Sequence, residues 1–129
     1  MPTVSSGILF DANVFNLKEI RFDDIRKEIF SLFVQGERAE LAFMTIRDQV
    51  VFTNKRIIVA NVQGIVGKKV AYISYPYSKI QFYGIETAGV LDIDSELILA
   101  FNNGSYLQFD FKTQVDIRRI NNLISNYVL

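Results

Sequence analysis

Apolar residues recur along this chain in two rhythms, and the switches between them mark its elements. From Asp23 onward Ile25, Ile29, Leu32 and Phe33 repeat at the spacing of one helical face. Asp23 and Asp24 stand where the positive N-terminal end of a helix favours acid, and Gly36 suits its C-terminal cap. At about 100° per residue, Phe30 and Val34 fall off that face, so the predicted helix carries apolar surface that something else must cover.

Beyond Gly36 the rhythm changes to short β-rich runs: Glu40 to Ile46, Gln49 to Thr53 and Arg56 to Val62. Arg47 with Asp48, and Asn54 with Lys55, read as tight hairpin turns. Gly64 and Gly67 punctuate a loop before Lys69 to Tyr75, Pro76 ends or edges that strand, and Lys79 to Thr87 follows with Gly84 suggesting a bulge or bend. The last two runs, Ile93 to Phe101 and Ser105 to Phe111, flank Asn103-Gly104, the strongest hairpin signal in the chain. Leu107, Phe109 and Phe111 alternate with Gln108 and Asp110, as a half-buried strand requires.

Helical spacing returns at the end. Ile117, Ile120, Leu123, Ile124, Tyr127 and Val128 share one side of a helical wheel, while Arg118, Arg119, Asn121, Asn122, Ser125 and Asn126 take the rest. Thr113 followed by Asp116 fits a helix-start signal, which predicts a helix from Thr113 to Leu129 with one dry face. Seven strands in short-turn succession followed by one amphipathic helix predict a mainly β domain: a curved antiparallel sheet or partly open barrel, its apolar end plugged by that helix.

Composition narrows the functional classes. A chain of 129 residues suits one domain, and with half its residues hydrophobic and 22% charged it has globular composition. Fourteen basic and fourteen acidic residues cancel, so no long-range positive field gathers nucleic acid or anionic membrane; nucleic acid is not expected as a partner, and membrane contact is at most peripheral, through a local patch. The segment Met1 to Phe10 lacks a basic n-region, and no uncharged stretch reaches the roughly 20 residues of a membrane span. With no cysteine, disulfides and thiolate chemistry are absent and a cytoplasmic setting is expected. With no histidine, Ser-His and Cys-His catalysis are excluded. Gly64 and Gly67 make no phosphate-cradling fingerprint. The expectation is a non-enzyme without a cofactor.

Four blocks carry a family resemblance: Arg47-Asp48-Gln49-Val50-Val51-Phe52-Thr53-Asn54-Lys55-Arg56, Gln63-Gly64-Ile65-Val66-Gly67-Lys68-Lys69, Tyr75-Pro76-Tyr77 and Asp92-Ile93-Asp94-Ser95-Glu96-Leu97. In that order and spacing they resemble the bacterial pleckstrin-homology-like proteins, with Phe52 to Arg56 and Gly64 to Lys69 the most specific. The resemblance, which runs from about Gly36 to the C-terminus, implies a seven-stranded antiparallel barrel capped by a C-terminal helix over residues 36–129; residues 1–35 are read from their own pattern as an added apolar and helical extension packed on it. It also implies symmetric oligomers, some ring-like, and brings no activity. Eukaryotic relatives that bind phosphoinositides carry a basic motif in the first hairpin loop, here only Arg47 and Asp48, which counts against inositol-lipid recognition.

Three constellations merit location in the structure. Asp92, Asp94 and Glu96 alternate; in an extended chain they share a face and are the metal candidates for a hard cation, although no full ligand loop accompanies them. Arg47, Lys55, Arg56, Lys68 and Lys69 lie in or beside turns, and would form an anion or lipid-headgroup patch if those turns gather at one barrel end. Phe10, Phe15, Phe30, Tyr75 and Tyr77 are the interface candidates: the N-terminal run rich in Ile, Leu and Phe exceeds what a small barrel can bury and packs either as a layer on the barrel or against a neighbour, and tyrosines such as those flanking Pro76 are favoured at interfaces as well as on sheets. The functional expectation is a protein-interaction module that forms homo-oligomers and recognises a protein partner, with peripheral anionic-lipid binding as the alternative.

Overall fold

The computed structural model describes residues 14–64, 66, 69–87 and 94–129. Eight strands, β1 (Val14–Glu19), β2 (Ala39–Met44), β3 (Gln49–Thr53), β4 (Arg56–Gln63), β5 (Lys69–Pro76), β6 (Ile80–Glu86), β7 (Ser95–Phe101) and β8 (Tyr106–Phe111), join in one sheet ordered β5-β4-β3-β2-β1-β8-β7-β6. The helices are α1 (Lys27–Ser31) and α2 (Ile117–Val128). All seven strands predicted from the pattern are present, with ends within two residues of expectation.

The eighth strand is β1, which lies parallel to β8 and antiparallel to β2 and so splices the two halves of the sheet. Its pattern hides it. Buried Val14 and Leu17 are three apart rather than two, because Asn16 takes a left-handed φ of 60° and the register with β8 shifts between them. An irregularity of this kind erases the alternation by which a strand is recognised.

Every other strand pairing is antiparallel. The Asn103-Gly104 hairpin forms as expected, Gly104 supplying a left-handed φ of 83°. The irregularity anticipated at Gly84 lies instead between Ile80 and Phe82, and Gly84 pairs regularly with Ile98. Pro76 closes β5, an edge strand where a missing N–H costs no ladder bond.

Inward residues from both halves build the main core: Phe43, Phe52, Phe109 and Phe111 meet in edge-on or tilted contacts with centroids 4.9 to 6.3 Å apart, packed with Leu17, Ile57, Leu97, Leu99 and Leu107. A second layer covers the outer face of β2, β3 and β4, where Ala42, Val51, Ile58 and Ala60 pack under Ile25 and Ile29. Burial on both faces is why Val50-Val51-Phe52 and Ile57-Ile58-Val59-Ala60 read as unbroken apolar runs.

The predicted N-terminal helix is much shorter than expected. A 3-10 turn, Phe22–Asp24, and the single turn and a half of α1 replace it, because Ile25 and Arg26 adopt extended backbone between them. The buried Gln49 amide holds that break: it donates to the Asp24 carbonyl at 3.0 Å and accepts from the Arg26 N–H at 2.9 Å. Gly36, with φ 79°, serves a turn closed by Glu37 N–H on Val34 carbonyl rather than a helix end.

β5 and β6 are the free edges of the sheet, and between them the barrel is open. α2 lies over that opening, with Ile117, Ile120 and Ile124 buried in the main core. It begins four residues later than Thr113, since Asp116 is the cap, its side chain accepting from the Arg118 N–H at 3.1 Å. Tyr77, in the 3-10 turn Tyr77–Lys79 that links the two edges, stacks on Tyr127 of α2 at 5.1 Å, and the Tyr83 hydroxyl meets Ser125 Oγ at 2.6 Å. Ile124→Ala is therefore expected to lower unfolding free energy by about 3 kcal/mol, and Asn122→Ala on the wet face by less than about 0.5 kcal/mol. Denaturant midpoints of the two variants check this.

Candidate functional site

The four turn cations among the described residues are divided by the barrel rather than gathered. Arg47 in the β2–β3 turn and Lys69 at the start of β5 stand at one end, since Lys69 pairs with Gln63 and Arg47 Nη2 donates to the Gly64 carbonyl. Lys55 and Arg56 belong to the β3–β4 turn at the opposite end. Lys68 lies outside the described residues.

Arg56 is committed to structure. Its Nε and Nη2 grip the two Glu37 carboxylate oxygens at 2.9 Å, Nη2 also donates to the Leu32 carbonyl at 2.6 Å, and Nη1 reaches Ser74 Oγ at 3.0 Å. Thr53 Oγ1 donates to the same carboxylate at 2.7 Å, and Asn54 bridges Arg38 N–H and Gly36 carbonyl. Thus Phe52 to Arg56, a block that carries the family resemblance, is a latch fastening residues 32–38 to the β3–β4 hairpin. The Glu37 side chain is 0% exposed. Burial pushes its carboxyl upward, but hydrogen bonds from Arg56, Thr53 and the Val34 N–H, with the Arg56 charge, outweigh this and hold it below the usual carboxylate value.

Two of the three acidic candidates lie among the described residues. Asp92 is outside the described residues, Asp94 is exposed ahead of β7, and Glu96 is in β7. Glu96 instead stands between Glu86 and Asp110, its direct partners on β6 and β8. Desolvation, the Asp110 charge, and a hydrogen bond and charge from Glu86 all push its carboxyl upward. No group of three or more acidic side chains among the described residues is arranged to hold a metal ion.

Of the interface candidates, Phe10 and the Phe15 side chain lie outside the described residues. Tyr77 is 3% exposed, and its hydroxyl donates to the Thr53 carbonyl at 2.7 Å. Burial, followed by the charges of Tyr127, Glu40 and Glu37, pushes that phenol far above its ordinary value. Tyr75 is half-buried and stacked on Phe101 at 5.6 Å, so both tyrosines serve the barrel's own packing. Phe30 remains exposed, edge-on to Phe33 at 5.3 Å.

One concavity was not anticipated. A cleft of about 670 Å³ opens at the end that carries Arg47, lined by Asn16, Lys18, Met44, Thr45, Ile46, Asp48, Asn61, Val62 and Lys112 as well as Arg47 itself. Lys18 and Lys112 carried no motif; only the β1–β8 pairing brings them together.

A strongly bent sheet with one free corner, closed by a C-terminal amphipathic helix, defines a pleckstrin-homology-like domain. The model of the family described as Bacterial PH domain matches residues 8–128, and the chain belongs to that family. It is 45% identical over 73 residues to "Uncharacterized protein YjqA" of Bacillus subtilis (strain 168), covering 57% of this chain and 58% of YjqA, so the match spans less than two thirds of that relative. With "Uncharacterized protein YozO" of the same organism it shares 30% identity over 102 residues, 79% of this chain and 88% of YozO. A crystal structure of a protein with a pleckstrin-homology domain from Shewanella loihica PV-4 superposes with a TM-score of 0.79 at 38% identity, covering 89% of this chain and 99% of the other.

Two stability predictions follow from these charges. Arg56→Met leaves the Glu37 carboxylate buried without its cation and is expected to cost about 3 kcal/mol, against less than about 0.5 kcal/mol for the exposed neighbour Lys55→Met, as read by urea denaturation. Because Glu96 has a raised value in the folded state, its ionised form opposes folding at neutral pH. Glu96→Gln is expected to raise Tm at pH 7 by about 2 °C, and the gain should shrink as pH falls through the folded-state value and vanish below about 3.5, where both folded and unfolded carboxyls hold their protons.

Proposed function

We propose that this chain is a non-catalytic cytoplasmic interaction module that associates with copies of itself and with a protein partner through the segment between β1 and β2. The observation that carries this reading is a concentration of exposed apolar side chains: Phe22, Phe30, Leu32 and Val34, each 41–56% exposed, all fall within residues 22–34. Single exposed apolar residues are ordinary on a monomer, whereas several on one short segment favour a contact surface. The free edges of β5 and β6 supply backbone groups for strand addition as a further route. The lack of histidine and cysteine supports the non-catalytic part, and no helix among the described residues is long and apolar enough to cross a membrane.

Light scattering coupled to gel filtration tests self-association. A mass above that of one chain is expected at tens of micromolar, and the double variant Phe30→Ser/Val34→Ser should return it to monomer with an unchanged circular dichroism spectrum. A wild-type chain that stays monomeric across that range refutes this reading.

A further inference from the structure

β1 and β8 run parallel with Leu17 opposite Phe111, so the next residue on each strand, Lys18 and Lys112, extends side by side past the last ladder pair. The Lys112 N–H on the Leu17 carbonyl at 2.9 Å keeps the two backbones together there. Neighbouring like charges on adjacent strands oppose folding unless something compensates them. Neither lysine has a carboxylate partner among the described residues, whereas Arg21, Arg26, Arg38, Arg56 and Arg119 each have one within 3.8 Å. Lys27, Lys55 and Lys79 are also unpaired, but none of them lines the cleft that Lys18 and Lys112 share.

The third cation arrives from the β2–β3 turn. Lys18 pairs with Met44, the last residue of β2, and Arg47 follows three residues on, its guanidinium held in place by the Gly64 carbonyl through one of its five N–H groups. Among the described residues Asp48 is the one acid lining the cleft, and its carboxylate is already occupied: Oδ1 accepts from the Val62 N–H at 2.8 Å and Oδ2 from the Asn61 amide at 3.1 Å. Thr45 Oγ1 accepts from the N–H groups of Arg47 and Asp48, which fixes the turn and leaves its own hydroxyl proton free to donate. The acidic row Glu86, Glu96 and Asp110 does not line the cleft. A concavity walled by three cations and one committed carboxylate focuses positive potential on a chain whose total charge is zero.

We infer that this cleft binds a phosphate-bearing ligand, the phosphate held between Lys18, Arg47 and Lys112. A phosphate carries the multiple negative charge that three cations match, and a guanidinium fork suits its oxygens. The cleft also has an apolar rim: Met44 and Val62 line it, and Ile46 at the turn tip is 98% exposed. That rim suits a phosphate attached to an apolar body. The site shares no residue with the self-association surface proposed above, so either can fail without the other.

Two probes separate a soluble phosphate from a lipid headgroup. In the first, inorganic phosphate replaces chloride at constant ionic strength while amide resonances are followed by NMR. In the second, vesicles of phosphatidylcholine with and without phosphatidic acid are sedimented with the protein. Saturable shifts confined to Asn16, Lys18, Thr45 to Asp48 and Lys112 support the site with a soluble ligand. Sedimentation that requires phosphatidic acid and falls with Ile46→Ser supports it with a lipid. In either case Lys18→Gln/Lys112→Gln, both exposed positions, should weaken binding about tenfold, and the distant pair Lys55→Gln/Lys79→Gln by less than about twofold. The site is overturned if neither probe engages these residues, or if the distant pair weakens binding as much as the cleft pair, since diffuse charge attraction would then suffice.

Discussion

The sheet cannot close on itself, and much of the molecule answers that constraint. Between the free edges of β5 and β6 the apolar interior would meet water, and α2 seals it with Ile117, Ile120 and Ile124. The rings around this seam serve the same end: Tyr77 stacks on Tyr127, Tyr75 on Phe101, and Tyr83 reaches Ser125. Tyr77 is buried with its hydroxyl satisfied by the Thr53 carbonyl, which ties the seam back to the β3–β4 hairpin. The dry face of α2 is occupied in this way, and Arg118, Arg119, Asn122 and Asn126 on its other side are exposed.

A second constraint comes from strands buried on both faces. β2, β3 and β4 have one apolar side in the barrel and another outside it, and the chain from Ile20 to Phe33 folds over the outer side. Gln49 anchors one part of this layer, and the Arg56–Glu37 latch holds its exit. Residues in turns, which would ordinarily be solvated, here perform a tertiary task. The layer is too small to cover itself, so Phe22, Phe30, Leu32 and Val34 stay in water.

Charge follows the same logic of position over composition. Equal totals of acid and base conceal a local division, with an acidic row across β6, β7 and β8 and a cationic cleft at the junction of β1 and β8. Arg56 and Arg47 look alike in sequence, each beside a hairpin turn. One is bound bidentately to a buried carboxylate, while the other uses a single N–H on a carbonyl and has its remaining donors beside an open cleft.

By itself the sequence determined the repeating units. Period-2 alternation in Leu107 to Phe111, the Asn103-Gly104 turn and the helical stripe from Ile117 to Val128 are local signals, produced by backbone geometry that neighbouring residues share. They sufficed for seven strands, the capping helix and the family resemblance. The tertiary structure decided the rest, because long-range pairing leaves no local trace. β1 was hidden by the left-handed Asn16, and the Ile25–Phe33 stripe shortened to α1 because Gln49, distant in sequence, competes for the backbone there. The turn cations were legible as residues but not as a group, since hairpins alternate between the two ends of a barrel. Lys18 and Lys112 could become neighbours only through a parallel pairing of the chain's first described strand with its last.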